Sequence, residues 1–173
     1  MKKLLFPIFL LGTLAMMFVM AQTGAILKTP EAPMGILNLE FAYSDAKTAP
    51  IINSWAIISG ADVITAAKNN TYWDFLFLFF YAGFLFIACN KLAANLPGLA
   101  GITGKLVAKC ALMAGFFDIL ENGGMLLTLN DQGSSAVAFC TTFFSLIKWG
   151  LVILAVLYLV SALLVLAYYK LKK

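Results

Sequence analysis

Apolar residues run without a charge from 4 to 27, return over 72–89 and 106–128, and hold again from about 136 to 169. At about 1.5 Å per helical residue, each run crosses or nearly crosses a hydrocarbon core about 30 Å thick. The pattern therefore predicts an all-α integral membrane protein, a four-helix bundle forming one domain over the whole chain. Between the first and second runs lies a mixed segment, 28–71, broken by Pro30, Pro33, Pro50 and Gly60. Ser44-Asp45 and Asp62 stand where helix N-caps are expected, which predicts two short helices there, 45–58 and 62–69. The segment is also rich in apolar residues, among them Leu39, Phe41, Ile51 and Trp55. It is expected to fold over the mouth of the bundle or lie at the interface, with Tyr43 and Trp55 at headgroup depth.

Lys2 and Lys3 ahead of an apolar run also describe a secretory signal peptide. The run exceeds the 7–15 apolar residues, roughly, of such a signal, so it is expected to be an uncleaved first span.

Polar residues interrupt the third span in a repeating way. Asp118, Glu121, Asn122 and Met125 recur at spacings of three and four, and Ala111, Ala114 and Gly115 continue the same face below them. Small residues admit a close neighbour, and the polar part of the face must then point into the bundle. A charged group near the bilayer centre costs about 3 kcal/mol on insertion-derived scales, so two carboxylates in one span require a partner or a cavity. Counting along the helices puts Asp118 roughly 20 Å, and Glu121 and Asp74 roughly 24 Å, above the lysine-rich boundary. The three carboxyls are expected to share one layer. On the fourth span Thr141, Ser145 and Lys148 form a stripe, with Lys148 counted about 18 Å deep from one end and about 31 Å from the other.

Other readings of these positions stay open. Thr71-x-x-Asp74 also reads as a capping box at the start of span two. Lys148 also reads as a side chain snorkelling to the interface, and Glu40 as a solvated loop residue. The Asp118, Glu121, Asn122 face also reads as an interhelical network that only fixes packing.

Composition and charge narrow the chemistry. A mean hydropathy of +0.94 exceeds what a soluble domain of this size could cover with polar surface. Eight lysines (Lys2, Lys3, Lys91, Lys105, Lys109, Lys170, Lys172, Lys173) fall at the ends that share one side if four spans alternate, and no acidic residue joins them. By the positive-inside rule that side is cytoplasmic, with both termini, and the 28–71 segment is extracytoplasmic. The net charge of +4 then belongs to topology and anionic lipid, with no nucleic-acid partner implied. There is no histidine, and Cys89, Cys110 and Cys140 stand singly, so haem, zinc and thiol-disulfide chemistry lack their usual ligands and no metal or cofactor is expected.

The Ala114-Gly115-x-x-Asp118-x-x-Glu121-Asn122 pattern, with Leu39-Glu40 after span one and Tyr72-x-Asp74-Phe75 in span two, resembles a group of small bacterial four-span membrane proteins of uncharacterised activity. The resemblance implies the fold and a bacterial inner membrane, and no reaction. The residues point to an acidic pocket of Asp74, Asp118, Glu121, Asn122, Lys148 and Glu40. One class is a binding or accessory protein that holds a membrane lipid, a lipophilic ligand, another subunit or a second copy there. A second is an intramembrane acid–base enzyme acting on a lipid, with Asp118 and Glu121 as catalytic candidates, because two carboxyls a turn apart can share one proton. A cation- or proton-coupled transporter is third.

Overall fold

The structure, a computed structural model, describes residues 2–57 and 62–172. The expected break at Gly60 and the expected end of the first short helix at Ile58 lie outside the described residues, as does Lys173 of the lysine-rich side. Six α-helices follow in order: α1 Lys2–Gly24, α2 Ile36–Glu40, α3 Asp45–Ala56, α4 Val63–Ala93, α5 Gly98–Leu129 and α6 Ser135–Leu171. Among the described residues there is no strand, and four helices are long and apolar enough to cross a membrane. The protein is an all-helical, integral membrane bundle.

α4 is the central element, packed against α1 on one side and against α5 and α6 on the other, with α5 also on α6. The α1–α4 seam is aromatic and reciprocal: the Phe9 ring lies against Gly83 and the Phe80 ring against Gly12, where any Cβ would collide. Glycine in a helix costs roughly 1 kcal/mol against alanine, and here it permits this close approach.

Two spans are longer than their apolar runs. The helix expected over 62–69 is continuous with span two, because the Asn69-Asn70-Thr71 break in hydropathy contains nothing that breaks a helix. Asn70 Nδ2 donates to Thr23 Oγ1 (2.7 Å) on α1, and Thr71 Oγ1 donates to the Ala67 carbonyl (3.0 Å). That places Thr71 mid-helix and removes the capping-box reading of Thr71 and Asp74. The real N-cap is Asp62, whose carboxylate accepts from the Thr65 N–H (2.9 Å) and hydroxyl (2.6 Å). The hydroxyl, then the N–H, hold its carboxyl below the usual range. α5 likewise begins at Gly98 and not near 106, since Gly101 and Gly104 serve as contact points, Gly104 meeting Tyr158 and Ala93. α5 ends in a Schellman turn: Asp131 takes φ 59°, Asp131 N donates to Thr128 O (3.3 Å) and Gln132 N to Leu127 O (3.0 Å).

Residues 28–57 fold over one end of the bundle as a lid. Pro50 sits in the second turn of α3, later than the first-turn position its missing N–H favours. Ser44 offers no side-chain cap to α3, and Ser135 Oγ at the start of α6 accepts from Asp45 N instead (3.1 Å). Trp55, only 1% exposed, is the centre of the lid core and not an interface anchor. Its ring packs in a cluster with Leu27, Leu39, Ile51, Met125 and Leu129, and Nε1 donates to the Leu27 carbonyl (2.8 Å). An indole N–H that finds a protein acceptor no longer needs the headgroup region. Tyr43 remains exposed.

Candidate functional site

Between the lid core and a second apolar core of Leu78, Leu85, Val107, Ala108, Ala111 and Ala155 lies a single polar layer. Its floor is the small-residue face of α5: with Ala111, Ala114 and Gly115 buried, α4 approaches closely enough for Ala82 to touch Gly115. The next turns of that face carry Asp118, Glu121 and Asn122, which are 1%, 0% and 0% exposed.

Lys148 is the hub. Its Nζ lies 3.1 Å from Asp118 Oδ1, 2.8 Å from the Glu121 carboxylate and 3.4 Å from Glu40 Oε2. Glu121 Oε1 accepts its hydrogen bond, while Oε2, equally near, has no hydrogen-bond partner among the described residues. Three carboxylates from two elements thus converge on one ammonium. The snorkelling reading of Lys148 fails because its ammonium meets these acceptors inside the bundle.

Glu40 is the second residue for which one of two open readings falls. It is buried and not a solvated loop residue. Its position at the end of α2 lets the lid carry it down onto α6, where Oε2 accepts from Ser145 Oγ (3.2 Å), Trp149 Nε1 (3.2 Å) and Lys148 Nζ. Thr142 Oγ1 also donates to the Glu40 carbonyl (2.9 Å). A carboxylate with three donors on one oxygen is compensated for its burial.

Asp118 is held from the other side by Tyr81, whose hydroxyl donates to Oδ2 at 2.6 Å. Asp74 stands at the edge of the layer, partly covered, with Oδ2 accepting from Asn122 Nδ2 at 2.7 Å. No hydrogen bond among the described residues links Asp74 to Lys148. The layer therefore has two parts: a closed hub around Lys148, and an Asp74–Asn122 pair at its edge.

All six expected site residues lie in this layer. Tyr81, Thr142 and Trp149 also belong to it and were not among them. Tyr81 had a signal, since it lies seven residues after Asp74 and so on the same face of α4. Thr142 and Trp149 had none, because only the folded position of Glu40 makes them neighbours. Thr141, on the expected stripe, instead donates to the Val137 carbonyl (2.9 Å) and abuts Gly124.

Chemically, the hub holds charge in place. The centre of the carboxylates, where a metal would sit, is taken by Nζ, and among the described residues no group of three strong ligands is arranged for a metal ion. The cysteines are free, Cys89 buried and Cys140 exposed. Comparison with protein-family models, curated proteins and solved structures yields no match, so the functional argument rests on this geometry.

Proposed function

We propose that this chain is a binding or accessory protein of the membrane, in which the Lys148 hub is a fixed frame and the edge of the layer holds a lipid, a lipophilic ligand or a helix of another subunit. The observation that carries this reading is the hub itself: Lys148 is saturated by Asp118, Glu121 and Glu40, and Glu40 ties the lid to α6. Such an arrangement suits positioning, since breaking it leaves buried charges unpaired. The lysine distribution and the resemblance to small bacterial four-span proteins support a bacterial inner membrane with cytoplasmic termini, which sets the layer in the outer half of the bilayer.

Native mass spectrometry of the chain released from bilayers of natural composition tests the binding reading. One lipid or small molecule retained per chain is the expected result, and chains that fly bare or only with random detergent overturn a lipid-binding role. The topology has its own test. In a background with Cys89, Cys110 and Cys140 replaced, a cysteine at Asn95 should be labelled only from the cytoplasmic side and one at Gln132 only from outside. The reverse pattern would invert every depth assignment.

A second reading, an intramembrane acid–base enzyme acting on a lipid, is favoured by one observation: Tyr81, Asp118, Lys148 and Glu121 form a continuous chain of groups with exchangeable protons. Glu121→Gln separates the two. Gln keeps one carbonyl acceptor for Lys148 and loses the charge, with an NH2 in place of the second oxygen. If the hub is a frame, the variant should lose about 1 kcal/mol or less, with Asp118 and Glu40 still holding Nζ, and should keep its ligand. Loss of turnover in a folded Gln variant would favour the enzyme.

A further inference from the structure

We infer that the Asp74–Asn122 edge of the layer is a binding site for a protonated primary amine carried on an apolar tail, an inference that deepens the lipid-binding reading above and rests on it. Two independent accounts of the layer point the same way. The first is charge: Glu40, Asp74, Asp118 and Glu121 are four carboxyls, and among the described residues Lys148 is the one ammonium that meets any of them. The second is hydrogen bonding. Asn122 is 0% exposed and its Nδ2 donates to Asp74, while Oδ1, on the other arm of the same planar amide, has no partner among the described residues. The carboxylate fixes that orientation, because the reverse would set oxygen against oxygen. Setting aside Glu121 Oε2, which lies against the Lys148 ammonium, the buried side-chain atoms left without a partner in the described residues, Asn70 Oδ1 and Asn122 Oδ1, are both acceptors. The bundle is short of donors and short of positive charge, and a single cationic donor supplies both.

The hub shows which cation this environment holds. There, a primary ammonium on an aliphatic stem is held between carboxylates at 2.8–3.4 Å. The edge offers acceptors of the same kind on a smaller scale: Asp74, whose carboxylate has one oxygen engaged, and the Asn122 carbonyl. An ammonium has three donors and needs only such acceptors, whereas a bare metal ion must replace most of a hydration shell from a few oxygens. Asp74 is partly exposed, so the edge of the layer is open to a ligand from outside the bundle. The same chemistry is present in an ethanolamine phospholipid headgroup and in a free long-chain amine.

Full-length protein in phosphatidylcholine nanodiscs, titrated with dodecylamine and with dodecyltrimethylammonium, tests the site. A parallel native mass spectrum in mixed phosphatidylethanolamine and phosphatidylcholine bilayers identifies the source. Asp74→Asn is the informative variant, because it keeps an acceptor for Asn122 Nδ2 and so preserves the fold, which its melting temperature in phosphatidylcholine alone will show. The expected result is saturable dodecylamine binding or selective ethanolamine-lipid retention by the wild type. Affinity should fall about tenfold or more in Asp74→Asn, and the quaternary amine, which has no N–H to give, should bind as weakly as that variant. Retention of the phospholipid alone assigns the headgroup, and binding of dodecylamine alone assigns a free amine. Equal binding by wild type and Asp74→Asn, or equal binding of primary and quaternary amines, overturns the inference. A wild type that retains another lipid but no amine overturns it and leaves the lipid-binding reading standing, whereas one that retains nothing overturns both.

Discussion

Lys148→Met is expected to destabilise the protein by about 3–5 kcal/mol, the usual cost of removing one partner from a buried ionic cluster. Methionine nearly matches the lysine stem in length and shape, so the loss isolates the ammonium. Asp118, Glu121 and Glu40, now within 3.4 Å of it, would face one another without a cation. The lid should loosen first, because Glu40 is the only hub carboxyl it contributes. Equilibrium unfolding in mixed micelles gives the loss directly, and hydrogen exchange over 36–57 shows whether the lid opens. A control decides what the cluster is for. The quadruple variant Lys148→Met, Glu40→Gln, Asp118→Asn, Glu121→Gln removes every charge while keeping the shapes, and by precedent for neutralised clusters it should regain most of the stability. Near-wild-type stability of Lys148→Met alone would mean that the hub is not what holds the lid.

Trp55→Ala should cost a similar amount, about 3–5 kcal/mol, through a different cause. The substitution empties the centre of the lid core, where Leu27, Leu39, Ile51, Met125 and Leu129 surround the ring, and it leaves the Leu27 carbonyl without its donor. Trp55→Phe restores much of the volume and should recover all but about 1–2 kcal/mol, the share of the lost hydrogen bond. Because the residues affected cap one end of the bundle, helicity of the four spans should persist while protease sites in 28–57 become accessible. Unchanged protease resistance in the Ala variant would show that α2 and α3 are held from elsewhere.

How much of this was legible beforehand depended on how far each property reaches along the chain. The four spans, the inward polar face of α5 and the shared layer of Asp74, Asp118 and Glu121 follow from local periodicity and from the high cost of charge in lipid, both of which a single helix carries in its own sequence. Span limits were less legible: at Asn69–Thr71 and at 98–105 the apolar signal lapses while the backbone continues as helix, because hydropathy reports the solvent and not the hydrogen bonding of the main chain.

Glu40 and Trp55 show what lay beyond the sequence. A glutamate in a connecting segment is normally solvated, and a tryptophan there normally seeks the headgroups. Each became interior only because the lid docks, joining residues 102 to 109 positions apart for Glu40 and 28 apart for Trp55 and Leu27. The same docking recruited Thr142 and Trp149 to the site. The sequence by itself determined that this is a four-span membrane protein with carboxyls facing inward at one depth. Only the tertiary structure decided that one lysine gathers three of them and leaves Asp74 and Asn122 at the edge, because the partner of a buried charge depends on which elements meet across space, and no periodicity within one helix encodes that.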